Sequence, residues 1–465
     1  MTNIASSEQS TALFLGLDIG TTTLSAVVCS AASGTPVETR TVPHNAMLPS
    51  ESAWDRREDA ERILRIARET VDALIDRCPD ILSIGISGQM HGIVYVDADG
   101  TAVSRLYTWQ DGRAELRTGG ETACERILRL TGRVVPSGYG LATHTALMLS
   151  GEVPKTAVRI TTIMDYVASR LCGAPAERIH ATNAASFGLF DTAKGQFDPA
   201  ALRRVGIEPS FLPAVAGGYE TVGTYRGRPV SLAIGDNQGS FLGSMRDEKD
   251  AVLVNIGTGS QISVQTDTVF SGLPADLEQR PYLSGKTLLC GSALCGGRAY
   301  ALLERFTDAL LVASGAGTGE RYTLLNRLAE RGMAHPGLCP RVRPTFSGTR
   351  SNPDDAGSII GIRTENFTPE ALAAGWLCGM AEELYSLYEK MPTDRSAIRF
   401  VVASGNAVRN NPALRRAIAS VFRLPVAVPQ VSEECACGAA IYGAVAAGIA
   451  KQSELTKRIQ YLTEA

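Results

Sequence analysis

No apolar run in this chain is long enough to span a bilayer. The longest, near Ala439 to Ala450, is short and alanine-rich and reads as a closely packed core helix. No lysine or arginine tract stands out, and the formal net charge is −3, so there is no electrostatic case for a nucleic-acid partner. The polar stretch Met1 to Thr11 lacks a basic region followed by an apolar core, so no secretory signal is expected there and a cytoplasmic location is. The 10 cysteines are scattered, with no CxxC pair and no histidines at zinc spacing. They read as small buried thiols of a reducing compartment. Cys435 and Cys437, two apart, would sit on different faces of a helix or on one face of a strand. No Walker A pattern occurs, nor a Gly-x-Gly-x-x-Gly after a strand, which counts against P-loop and Rossmann nucleotide binding.

What is present suits a large globular protein. The chain is 44% hydrophobic and 20% charged, and at 465 residues it exceeds one ordinary core, so two large domains are expected. The segment Leu15-Gly16-Leu17-Asp18-Ile19-Gly20-Thr21 returns, little changed, as Leu253-Val254-Asn255-Ile256-Gly257-Thr258. Each copy reads as strand, glycine turn, strand. Glycine lets backbone amides approach an anion, and neighbouring hydroxyls add hydrogen bonds. One such hairpin is commonplace; two in corresponding places suggest duplicated domains sharing a polyanion. The first copy carries the carboxylate Asp18 and the second the neutral Asn255, and a carboxylate beside phosphates usually needs a metal between them. Nucleotide phosphates with Mg²⁺ are therefore the first reading.

Around these hairpins, Glu58 to Arg77 has helical apolar spacing, and Ile81 to Ile86 is a β-rich run entering the loop Ser87-Gly88-Gln89-Met90-His91-Gly92. The region Leu106 to Gly218 mixes helices with polar loops and is expected to wall a substrate pocket. Ser231 to Ile234 reads as a strand running into Gly235-Asp236-Asn237. Arg399 to Ala403 reads as another, ending in Ser404-Gly405-Asn406 before a helix near Pro412. We place the domain division at 224/225.

These ordered segments, with Trp109-Gln110-Asp111-Gly112-Arg113, resemble the FGGY carbohydrate kinases of the actin and hexokinase-like superfamily over nearly the whole chain. The Gly-Gln-Met-His-Gly loop is similar to that of ketose kinases such as xylulokinases. The Trp-Gln-Asp-Gly-Arg and Tyr139-Gly140-Leu141-Ala142-Thr143 segments are more similar to sedoheptulokinases, because a xylulokinase-like lysine is missing from the latter. The resemblance implies two ribonuclease H-like α/β domains with a cleft between them. Residues 1–224 would be the sugar-binding side and residues 225–465 the nucleotide-binding side. It implies transfer of phosphate from ATP to a ketose hydroxyl, sedoheptulose first, with xylulose or another pentulose or polyol as the alternative. The partners implied are the sugar and ATP/ADP, with no membrane and a homodimer as the assembly to test.

Asp236 is the candidate general base, since a carboxylate that takes the hydroxyl proton helps a sugar attack phosphorus. On its own residue type, Asp236 would as readily cap the next helix; the family pattern favours catalysis. Asp18, with Asp236, would hold Mg²⁺. Thr21 and Thr22 would lie near the transferred phosphate, and Gly257, Thr258 and Gly259 near the inner phosphates. Gly297, Gly405 and Asn406 would line the adenosine pocket. Gln89, Met90, His91, Trp109, Asp111, Asp236 and Asn237 would hold the sugar, although a lone His, Trp or Met is more often core. A non-catalytic sugar-sensing homologue is expected to lack Asp18 or Asp236, and both are present. A chaperone ATPase would need a peptide-binding domain, for which the residues after Ala450 are too few, and a filament protein would not need the sugar loop.

Overall fold

The computed structural model describes residues 12–315, 320–349, 352 and 354–462. The expectation for Met1 to Thr11 lies outside them. Two compact units form. The first comprises the residues up to Arg246, with Arg280–Thr287 and Glu433–Ile459; the second comprises Asp247–Gln279, Leu288–Ser432 and the residues from Gln460.

In the first unit, β1 (Leu13–Ile19), β2 (Thr23–Ser30) and β3 (Pro36–Pro43) form a meander followed by α1 (Ala60–Arg77) and β4 (Ile81–Gly88). Later come β5 (Thr221–Tyr225), β6 (Arg228–Gly235) and α2 (Asp236–Ser244). The sheet order is β5-β6-β4-β1-β2-β3. β4 runs parallel to both β1 and β6, while the hairpins are antiparallel. β1 and β4 are apolar almost throughout, as strands covered on both faces must be. β3, rich in exposed polar residues, closes an edge. α1 lays Ile63, Ala67, Val71 and Leu74 on the sheet at three- and four-residue spacing. It starts at Ala60 and not at the expected Glu58, because Asp59 is the N-cap and accepts from the Arg62 amide at 3.1 Å.

The second unit contains β7 (Ala251–Ile256), β8 (Ser260–Thr266), β9 (Leu277–Pro281), β10 (Thr287–Ala293) and α3 (Gly297–Ala313). It continues with α4 (Pro369–Glu389), β11 (Phe400–Ser404), α5 (Pro412–Phe422) and β12 (Val426–Ala427). Its sheet order, β9-β10-β8-β7-β11-β12, repeats the first motif: β7 pairs antiparallel with β8 and parallel with β11, as β1 does with β2 and β4. The repeat extends to register. Asp18 lies opposite Ser87, and Asn255 opposite Ser404. A Cβ on Gly88 would stand 2.4 Å from the Ile19 carbonyl oxygen, and one on Gly405 2.5 Å from that of Ile256.

The chain then returns to the first unit as α6 (Glu434–Ala446), which has apolar or small residues on every face. Glycines let its backbone touch its neighbours: a Cβ on Gly16 would be 1.8 Å from the Ala436 carbonyl oxygen, and one on Gly85 1.7 Å from that of Ala439. The division at 224/225 therefore does not coincide with the compact units. β6 is hydrogen-bonded to β5 and β4 inside the first sheet, and α6 packs on that same sheet. Residues 93–212 add a separate small core around Ile93, Tyr95, Leu141 and Phe187. Among the described residues no helix is long and apolar enough to cross a membrane. All 10 cysteines are free.

Candidate active site

Asp18 stands at the end of β1 and Asp236 at the end of β6, on either side of β4. Burial pushes the Asp18 carboxyl up to about 7; the Cys435 thiol, donating to it, opposes this, and Asp236 and Glu433 add repulsion. Asp236 is also raised, by the protein packed around it, with Arg280 opposing, although its side chain still reaches solvent. It is not the cap of the next helix: Gly235 holds that position and has no side chain to cap with. Asp236 Oδ1 accepts from the Asn237 amide at 2.7 Å, and Oδ2 is left for other chemistry.

The strand end carrying Asp236 is held from behind by groups the sequence did not single out. Asp165 accepts from the Ala233 amide at 3.2 Å, Asn183 donates to the Ala233 carbonyl at 3.0 Å, and the Gly235 amide donates to Thr182 at 3.2 Å. Asp165 is itself pushed up to about 7 by burial, against the Thr162 hydroxyl that donates to it at 2.7 Å. Cys435, at the start of α6, ties the two strands together. Its sulfur lies 3.1 Å from Asp18 Oδ1, 3.0 Å from Ser87 Oγ and 3.4 Å from the Asp236 carbonyl. In the second copy Asn255 donates directly to Ser404 Oγ at 2.8 Å. Cys437 points elsewhere, 3.6 Å from Cys29, so the two cysteines do occupy different faces of a helix.

The proposed sugar residues divide. His91 has φ 73°, a conformation L residues adopt seldom and usually under constraint. Its amide donates to Ser186 Oγ and its Nδ1–H to the Ser186 carbonyl, each at 3.0 Å, and its ring lies 4.2 Å from Tyr139. Trp109 is 47% exposed and its indole N–H donates to Thr21 Oγ1 at 3.0 Å, so this loop and the turn after β1 do meet. Met90 is 4% exposed, with its sulfur against Gly235, and supports the Asp236 turn instead of offering an open face. Gln89, 3% exposed, donates to Glu58 and not outward. Asp111 needs correction. It is 1% exposed, and its oxygens accept from Arg113 Nε at 2.6 Å, Arg113 Nη2 at 3.1 Å and the amides of Arg56 and Arg113. A carboxylate so occupied braces the loop and has no place left for a sugar hydroxyl.

In the second unit, Gly257, Thr258, Gly297, Gly405 and Asn406 line one cavity of about 730 Å³, within the usual range for small-molecule sites. Gly259 lies behind it, packed under Gly296. The first amides of α3 are spent on the turn: Gly297 donates to the Gly257 carbonyl at 2.9 Å and Arg298 to that of Thr258 at 3.1 Å. No residue pattern marked the far wall. There Asn326 Oδ1 accepts from Tyr300 at 3.0 Å and from Asn411 at 2.9 Å, beside Leu377, Met380 and the half-exposed ring of Tyr322. An apolar slot edged by amides and aromatic rings suits a planar base. A second cavity, of about 640 Å³, contains none of these residues, and its Lys390 is already paired with Asp276 at 2.7 Å.

The N-terminal domain of the FGGY family of carbohydrate kinases matches residues 13–252, and the C-terminal domain of that family matches residues 252–447. The chain belongs to the FGGY family of carbohydrate kinases. As a family member it is similar to a sedoheptulokinase from Mus musculus, 28% identical over 92% of this chain and 96% of that one. In fold it is similar to a "xyloylose kinase" from Brucella ovis, with a TM-score of 0.82, 22% identity and 97% and 94% of the two chains covered. It is likewise similar to a Plasmodium falciparum glycerol kinase solved with ADP, with a TM-score of 0.78, 18% identity and 97% and 93% covered. The two-unit α/β architecture is that of a carbohydrate kinase.

Proposed function

We propose that this kinase transfers the γ-phosphoryl group of ATP to a ketose hydroxyl, with sedoheptulose the preferred acceptor and sedoheptulose 7-phosphate and ADP the products. The observation that carries the reading is the pair Asp18 and Asp236, held at two strand ends around Cys435, with His91 and Trp109 on adjoining loops. Asp236 takes the hydroxyl proton as the new phosphorus–oxygen bond forms; its raised proton affinity and uncommitted Oδ2 suit a general base. Thr21 and Thr22 would hold the transferred phosphate, Gly257 and Thr258 the inner phosphates, and Gly405 and Asn406 the nucleoside. His91, Trp109 and Asn237 contact the sugar.

The donor set fits Mg²⁺. Asp18 and Asp236 are close enough to repel, and a divalent cation relieves that repulsion. Among the described residues no group of three or more His, Cys, Asp or Glu could hold a metal ion, so Asp18 and Asp236 would hold Mg²⁺ with water and phosphate oxygens as the other ligands. When bound, the ion neutralises phosphate charge.

The choice of sugar rests on whole-chain similarity to the mouse sedoheptulokinase. Ala142, Thr143 and His144, where a xylulokinase-like lysine is missing, are buried, with His144 bonded to Tyr95 at 2.7 Å. That segment therefore shapes core packing more than an open wall, and xylulose stays as the second acceptor because of the fold neighbour. ADP release measured over sedoheptulose, xylulose, ribulose and glycerol tests both levels. The highest kcat/KM is expected for sedoheptulose. A preference for xylulose would overturn the sugar, and no stimulation by any of them would overturn the sugar-kinase reading.

A further inference from the structure

Glu58 takes no part in the chemistry just described, yet it sits with 0% exposure behind the two loops that carry it. It lies on a two-residue strand, Arg57–Glu58, paired with Leu106–Tyr107 just before Trp109. Its Oε2 accepts from Gln89 Nε2 at 3.0 Å, while its Oε1 and Gln89 Oε1 have no hydrogen-bond partner among the described residues. The second hydrogen of the Gln89 amide points to the Gly20 carbonyl at 3.5 Å. That carbonyl also accepts from His44 Nε2 at 3.0 Å; His44 Nδ1 accepts from the Ala46 amide at 3.2 Å, which puts the ring proton on Nε2. The Gln89 amide itself donates to the Ile19 carbonyl at 2.8 Å.

We propose that Glu58 is a positioning residue of this kinase, which fixes the Gln89 carboxamide and so locks the sugar loop 88–92 to the phosphate turn 20–22. The inference rests on the sugar-kinase reading for those two loops. A carboxamide can rotate by half a turn, exchanging its oxygen and nitrogen. In the rotated form Gln89 Oε1 would face Glu58 Oε2 and the Gly20 carbonyl, both acceptors. Glu58 therefore selects the orientation that bridges the loops. Without it only the long contact to Gly20 would oppose rotation, and a rotated amide would push the turn away. Burial, opposed by the Gln89 hydrogen bond, raises the Glu58 carboxyl to about 7. The ionised form selects most strongly: a protonated carboxyl keeps Oε2 accepting while Oε1 carries the proton, whereas a proton on Oε2 could be donated to the rotated amide oxygen.

The test compares Glu58→Leu, Glu58→Asp and Glu58→Gln, together with Gln89→Leu and the Glu58→Leu/Gln89→Leu double variant. Glu58→Leu removes the acceptor and Glu58→Asp withdraws it by one methylene. Each should lower kcat/KM for the sugar by roughly 5- to 150-fold, the range for one lost buried hydrogen bond, and raise the ATP KM by less. Glu58→Gln keeps an oxygen acceptor and should recover most of that activity. The double variant should be no worse than Gln89→Leu, since Glu58 acts through Gln89. Additive losses, or wild-type sugar kinetics in Glu58→Asp, would overturn the proposal. Hydrogen exchange provides a readout that needs no sugar: the Gln89 and Gly20 amides should exchange faster in Glu58→Asp and at the wild-type rate in Glu58→Gln. Unchanged exchange in Glu58→Asp also overturns it, whereas a wild type that phosphorylates no sugar overturns only the reading on which it rests.

Discussion

Replacing Gly438 by alanine tests whether α6 is locked to α2 by backbone contact. A Cβ at 438 would stand 1.9 Å from the Gly239 carbonyl oxygen, 2.7 Å from its carbon and 3.0 Å from the Gly243 nitrogen. All three are backbone atoms, so no side chain can swing aside. The helices would have to part by about 1.1 Å for the closest contact to reach the 3.0 Å limit of real Cβ atoms. α6 cannot retreat into the sheet, because Ala436 and Ala439 already touch Gly16 and Gly85 there. The strain falls on α2, whose first residue is Asp236. Overpacking of this kind costs about 3 kcal/mol, at the upper end of its usual range. Alanine's better helix propensity returns about 1 kcal/mol, leaving a net loss of about 2 kcal/mol. Displacing Asp236 by about 1 Å should cut kcat on the order of 10²-fold. Urea unfolding followed by circular dichroism, with kcat measured on the folded variant, supplies both numbers. Gly217→Ala, where nothing lies within 4 Å, is the control and should stay within about 0.5 kcal/mol of wild type. A Gly438→Ala protein as stable and as active as wild type would refute the backbone lock.

Asp236→Asn should lower kcat by roughly 10²–10⁴-fold while ATP binding, followed by calorimetry, persists; near-normal turnover would remove Asp236 from proton transfer. Asp18→Asn should shift the Mg²⁺ dependence of turnover to higher concentration more than it alters the sugar KM. Lost sugar affinity with an unchanged Mg²⁺ titration would refute the assignment. Asp165→Asn tests the buried support of β6 through pH. The folded carboxyl lies at about 7, against 3.8 for the free group, so between those values the folded state holds the extra proton. Wild-type stability should then fall as pH rises from about 4 to about 7. The variant lacks this term and should gain on wild type by a few kcal/mol across that window, read by denaturant unfolding at each pH; a pH-independent difference would refute it.

The local and repeated parts of this protein can be read from its residues alone. Glycine turns between apolar runs specify hairpins wherever they occur, so both copies, at Asp18 and Asn255, were legible, as was the helical spacing of α1. The small-residue run near Ala439 gave a closely packed helix for the same reason. Asp18 and Asp236 were legible as polar residues at strand ends. Where these pieces meet depends on the folded chain. β6 completes the first sheet by pairing with β4, and Cys435 reaches Asp18 across 417 residues of chain; no local period encodes a partner that distant. The Trp-Gln-Asp-Gly-Arg segment could not reveal that Arg113 closes over Asp111, because an open and a saturated carboxylate have the same spacing. Glu58, Asp165 and Asn326 carried no signal either. Each owes its importance to a neighbour supplied by another element, and burial, which shifts the proton affinities of Glu58 and Asp165, exists only once the chain has folded.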